Sequence, residues 1–174
     1  GDRAGQYATH CRAEMVSWGP FGKSMVIDCH VDGLYNDAFN ARGIFNCSAK
    51  NLDPRVPGYP QGAHSDIWQI WNSNGDIDNV IIHGLEATEM IGAQGLFFAG
   101  YTVVFKNMSF RDVRIDNTLN GNPMGHKNFY AYSPMRHVLI DDSEFTGGYV
   151  DAGGNPYSDG DFTAEVSRFR NVRK

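Results

Sequence analysis

Three cysteines recur at a fixed interval. Cys11, Cys29 and Cys47 are 18 residues apart, and Val26-Ile27-Asp28-Cys29 lies over Ile44-Phe45-Asn46-Cys47. The same template returns at longer intervals as Ile81-Ile82-His83-Gly84, Val104-Phe105-Lys106-Asn107 and Leu139-Ile140-Asp141-Asp142. A second strand-like block precedes most copies, at 37–41, 66–70, 95–99, 128–132 and 161–165. A period of roughly 20–35 residues built from short strands constrains the fold more than any other feature. One such unit cannot bury its own apolar face, so successive units must stack.

Each repeat reads as strand, turn, strand, tight corner and a shorter strand. First strands are expected at 38–41, 67–71, 96–99, 129–132 and 162–165, and second strands at 25–28, 43–46, 80–83, 103–106 and 137–141. The corner is expected at Cys29, Cys47, Gly84, Asn107 and Asp142, because Gly, Asn and Asp tolerate left-handed backbone angles. A third alternation follows the corner as Leu85-x-Ala87, Met108-x-Phe110 and Ser143-x-Phe145. The insertions 52–65, 114–127 and 147–160 all fall between a third strand and the next first strand. They are expected to project from one edge, where long loops on a rigid scaffold carry function.

Same-order strands paired repeat on repeat give parallel sheets. NVIIHGLEAT, VVFKNMSFRDV and HVLIDDSEFTG resemble the repeats of right-handed parallel β-helix proteins, the pectin-lyase-like superfamily. The resemblance covers about residues 7–174 and implies one all-β domain over 1–174, a right-handed parallel β-helix solenoid with about three short strands per coil. It also implies an extracellular, cell-surface or virion setting, with polysaccharide as the partner. Family lyases often use calcium held by acidic clusters; Asp66, Asp159 and Asp161 are scattered, so calcium stays open without support from these residues and no other cofactor is expected.

Alternation decides which side chains of the first strands face out. With Ile67, Leu96 and Phe129 inside, Phe39, Trp68, Phe97 and Tyr130 form an outward aromatic column, with Tyr132 beside it. The opposite phase would bury Glu165, which is costly for an unpaired carboxylate. Aromatic faces at strand spacing suit stacking against sugar rings. The polar neighbours supply candidate chemistry. His64 and His126 open two of these strands at matching positions, with Asp66 and Lys127 beside them. A uronic-acid lyase or C5-epimerase needs a cation for the sugar carboxylate, a base and an acid. Lys127 or Arg136 fits the first role, His64 or His126 the second, Tyr130 or Tyr132 the third. A hydrolase would pair Asp66 with Asp161, about three strands or roughly 14 Å apart, which is long for that reaction.

The 174 residues, with 41% hydrophobic and 20% charged, suffice for one globular domain. The net charge of −5 argues against a nucleic-acid or acidic-membrane partner. No apolar run is long enough for a membrane helix. Three cysteines make no disulfide framework, and a ladder of buried thiols is the expected state, although strand spacing would permit one bridge. The chain starts and stops within what read as further copies. A piece of a longer solenoid, or end-to-end stacking, is therefore expected, and the rival function is a non-catalytic structural or adhesive segment.

Overall fold

Long strands broken by single left-handed residues dominate the computed structural model. It describes residues 7–9, 12–16, 25–34, 37–52, 65–70, 76–98, 104–119, 127–131, 135–151, 162–165 and 168–170. For 7–9, 12–16, 34, 127, 130–131, 149–151, 162–165 and 168–170 only the backbone is described. In chain order the strands are β1 (Tyr7–Thr9), β2 (Arg12–Val16), β3 (Met25–Ile27), β4 (His30–Leu34) and β5 (Gly43–Leu52). Then come β6 (Asp66–Gln69), β7 (Ile77–Thr88), β8 (Gln94–Phe98), β9 (Phe105–Asp116) and β10 (Lys127–Ala131). The last are β11 (Met135–Asp141), β12 (Glu144–Thr146), β13 (Tyr149–Asp151), β14 (Phe162–Glu165) and β15 (Arg168–Arg170). No helix occurs among the described residues, and the protein is all-β.

The strands form two parallel sheets. The larger runs β1-β3-β5-β7-β9-β11-β14, with β2, β4, β12 and β15 attached, and the smaller runs β13-β10-β8-β6. The register of the larger sheet repeats the sequence period: Val26 pairs with Ile44, Ile44 with Ile82, Ile82 with Phe110 and Phe110 with Ile140.

The sequence of β7 shows why the chain bends where it does. Ile77 is buried, Asp78 half-buried and Asn79 left-handed. Val80 and Ile82 are buried between the exposed Ile81 and half-buried His83, and Gly84 is left-handed again. Leu85 and Ala87 are buried beside exposed Glu86 and half-buried Thr88, and Glu89 is left-handed. Each left-handed residue resets the two-residue alternation, so one strand buries three separate runs. β9 repeats the pattern with Asn107 and Asp112 in those positions, and the β11–β12 stretch with His137 and Asp142. Of the nine non-glycine residues at positive φ among the described residues, seven are Asn or Asp, the types that adopt it at least cost. Side-chain bonds tie two of these positions to the next strand: Asn107 Nδ2 donates to Asp78 Oδ1 at 2.8 Å, and Asn51 Nδ2 to Asp32 Oδ1 at 2.6 Å.

Several corners differ from the sequence expectation. Asp28, Asn46, Gly84, Asp112 and Asp142 share one column. Cys29 and Cys47 come one residue later and face the core as buried free thiols. Asn107 belongs to a different column with Asn79 and His137, so Met108–Phe110 pairs with Val80–Ile82 rather than with Leu85–Ala87. Residues 162–165 also change place. They pair with Val138–Asp141 in the larger sheet, and Tyr149–Asp151 takes the position beside β10.

The core lies between the sheets and is aromatic at its centre. Trp68, Phe98, Phe105, Phe110, Phe129 and Phe145 are all fully buried, with centroid separations from 4.8 Å (Phe98–Phe129) to 6.4 Å (Trp68–Phe105). These tilted and edge-to-face pairs add to the burial of apolar area, about 0.5–1.5 kcal/mol per pair. Gly95 permits the close approach of β10 to β8, because a Cβ there would sit 2.0 Å from the Asn128 carbonyl oxygen.

Candidate functional site

The smaller sheet decides the fate of the expected aromatic column. Trp68 pairs with Leu96 and Gln69 with Phe97, one residue away from the alignment that placed Trp68 beside Phe97. A one-residue slip turns every side chain to the other face. Trp68 therefore enters the core, where its indole Nε1 donates to the Ala41 carbonyl at 2.7 Å. Phe39, bridged to Trp68, is buried with it. Neither can stack on a sugar, because both are fully enclosed. Phe97 is half-buried on the opposite face, and Tyr130 pairs with it as expected; the Tyr130 side chain lies outside the described residues.

The catalytic candidates are scattered. Asp66 is fully buried, which removes it from contact with a polymer. Its backbone NH donates to Asp37 Oδ1 at 3.2 Å. Arg136 is exposed on the larger sheet, in register with Lys106 and Asp78, not on the smaller sheet. Lys127 opens β10, with its side chain outside the described residues. His64, His126 and Tyr132 lie outside the described residues altogether, as do Asp159 and Asp161. With β14 in the larger sheet, the strand-start alignment that joined Asp161 to Asp66 no longer holds. Among the described residues, no group of three or more His, Cys, Asp or Glu side chains is placed to hold a metal.

A different surface gathers polar groups in the open. Beyond the Gly84–Asp112–Asp142 corner, Glu86 pairs with Arg114 and Arg114 with Glu144. Asp116 pairs with Thr146 two residues further on, and Thr88 precedes the next corner. These residues, with Ala87 and Ile115 as floor, line a groove of about 220 Å³. Strand spacing of about 4.8 Å sets the step between neighbours. Asp116 is held by Thr118, whose backbone NH and Oγ1 both donate to Oδ1, at 2.9 and 2.7 Å. Arg114 is drawn sideways to Asp112. The groove thus sets three carboxylates against one guanidinium and adds two hydroxyls, which together can donate to and accept from a polyhydroxylated chain.

The groove was readable only in part from the sequence. Leu85-x-Ala87 and Ser143-x-Phe145 mark two of its strands, but aligning Asn107 with Gly84 hid Val113-Arg114-Ile115-Asp116 as the third. On the neighbouring face, half-buried His83 bonds Ser109 Oγ through Nε2 at 3.0 Å and packs edge-on to Phe45 at 5.9 Å. Burial, and then the nearby Arg111 charge, hold its pKa below the ordinary 6.5. Comparison with known proteins finds no match: no protein-family model, no curated protein and no solved structure corresponds to this chain.

Proposed function

We propose that the chain winds as a right-handed parallel β-helix of the pectin-lyase-like kind and binds a polysaccharide along the outer face of β7, β9 and β12. The observation that carries this reading is the open groove lined by Glu86, Thr88, Arg114, Asp116, Glu144 and Thr146. Its side chains recur at strand spacing, so an extended polymer laid across the strands meets a new polar group at every step of about 4.8 Å. Three carboxylates beside one guanidinium disfavour a polyanion, so a neutral glycan fits this groove better than a uronate.

The catalytic form of the proposal is an eliminase or epimerase acting on uronic-acid polymers. It draws on His64, His126 and Lys127, with Tyr130 or Tyr132 as the acid, because Asp66 is enclosed and Arg136 stands on another face. An extracellular, surface or virion location belongs to the same proposal. A second reading, a structural segment that associates with copies of itself, is favoured by the partly exposed apolar side chains Met25 and Ile81 on another face of the larger sheet.

A glycan-array and titration experiment separates the two. Binding to a neutral polysaccharide that falls at least tenfold in Arg114→Ala and Glu144→Ala supports the groove. Binding unchanged in both variants, or no glycan binding by the folded protein, sinks it. A stable oligomer by light scattering together with the second result favours the structural reading.

A further inference from the structure

We infer that Ser109 and His83 form a nucleophile–base pair on the outer face of the larger sheet, suited to acyl transfer from esters of small apolar acids. Ser109 Oγ lies 3.0 Å from His83 Nε2, within the reach a base needs to take a hydroxyl proton. Both side chains point away from the core, because their strand neighbours Val80, Ile82, Met108 and Phe110 are the buried ones. Both are half-buried, which fixes the pair and leaves it open to a ligand. Edge-on contact with the Phe45 ring, 5.9 Å between centroids, holds the imidazole on the side away from Ser109. The left-handed residues Asn107 and Asp112 set where this run of β9 begins and ends.

The register supplies the other parts. Ile81 and Leu139 pair with Ser109 from either side, so the hydroxyl stands between two aliphatic side chains, Ile81 exposed and Leu139 half-buried. They offer an apolar seat to the acyl group. Arg111 pairs with His83 and lies two residues beyond Ser109 on the same face, about 7 Å along the strand. Asp141 Oδ2 meets Arg111 Nε at 2.8 Å and anchors the guanidinium. The Arg111 side chain is 57% exposed, so its terminal nitrogens can turn to a developing oxyanion. With the imidazole proton on Nδ1, His83 Nε2 takes the Ser109 proton while Oγ bonds to the ester carbonyl carbon. Collapse of the tetrahedral intermediate breaks the C–O bond to the alcohol, which leaves with the proton from Nε2. A water deprotonated by the same nitrogen then releases the acid and restores Ser109. The comparable pair, His30 Nδ1 and Ser48 Oγ at 2.8 Å, has different neighbours: Glu86 pairs with Ser48, and its charge opposes an oxyanion. The Ser109–His83 pair precedes the Gly84–Asp112 corner and the groove follows it, so the inference does not rest on glycan binding.

The test uses the full chain with p-nitrophenyl butyrate and a fluorophosphonate probe. The wild type should release p-nitrophenol and take up a single phosphonyl group, which peptide mass spectrometry places on Ser109. Ser109→Ala should lose the label and roughly a hundredfold or more in kcat/KM, and His83→Gln about as much. Arg111→Gln should lower kcat about tenfold with KM little changed, as expected for a group that acts on the oxyanion. Ser48→Ala should keep both label and activity. His83 faces the uncharged Phe45 on β5 and Arg111 on β9, with Asp141 beyond it on β11. In the wild type kcat/KM should therefore rise with pH to a plateau whose midpoint lies below 6.5. Should His83→Gln fail to fold, Ser109→Ala, which removes one oxygen, carries the test. No turnover above buffer by the folded wild type, equal activity in Ser109→Ala, or labelling at another serine would overturn the inference. So would a rate that climbs with hydroxide and reaches no plateau.

Discussion

Trp68 shows how one residue's direction settles what a surface can do. Its ring packs on Phe98 at 4.9 Å and its indole NH is satisfied at 2.7 Å, so it acts as core. Trp68→Ala should cost about 3–5 kcal/mol of unfolding free energy in a denaturant titration. A loss under about 1 kcal/mol would return Trp68 to the surface. The sequence could not reveal this, because 66–70 and 95–99 match equally well in either of two registers and both phases bury some aromatic side chain. A second residue-scale prediction concerns His83. Its pKa is depressed in the folded state, so the folded protein binds fewer protons than the unfolded chain. Stability therefore rises with pH from the lowered value up to about 6.5, and the full penalty applies below that window. The fall in Tm between pH 7 and pH 5 should be shallower in His83→Gln than in the wild type. Equal slopes would show that His83 contributes nothing to the pH dependence.

At the scale of the element, the left-handed positions divide each long strand into separately buried runs. The corner chemistry was legible at Gly84 and Asp142, while at Asp28 and Asn46 the repeated cysteines that follow drew the corner one residue too far. It misled where two such residues lay close together: Asn107 and Asp112 both fit the corner, and the wrong one was aligned with Gly84. Glu89 carried no compositional signal, since Glu is not a usual corner residue, and His137, a type only somewhat enriched at such angles, carried a weak one. Asn107→Val should be destabilising by about 1–2 kcal/mol, because a β-branched side chain disfavours the left-handed angles and the bond to Asp78 is lost. Asn107→Gly should cost less than Asn107→Val, and the reverse order would contradict a left-handed backbone there. Gly95→Ala belongs to the same scale. Its Cβ would meet backbone rather than a flexible side chain, so the variant should unfold at markedly lower denaturant. The charged ladder gives one more prediction. Arg114→Glu would place a third carboxylate in line with Glu86 and Glu144 and should lower stability by about 0.5–2 kcal/mol, an effect that shrinks in high salt.

For the whole molecule, the parallel pairing of repeats was the most legible feature, because an apolar period survives small errors of register. Locating the site depended on those errors. The groove on β7, β9 and β12 emerges only when Glu86, Arg114 and Glu144 are brought into one column. The central claim is that successive repeats lie side by side in a single parallel series. Spin labels at His30 and Glu144 test it most directly, in a background where the native cysteines are replaced by serine. These positions are joined through Ser48, Glu86 and Arg114 by four strand steps, despite their distance in sequence. Double electron–electron resonance should give a narrow distribution centred near 19 Å between backbones, before the reach of the labels is added. A broad distribution, or one centred beyond about 35 Å, would contradict the parallel series, and with it the continuous groove.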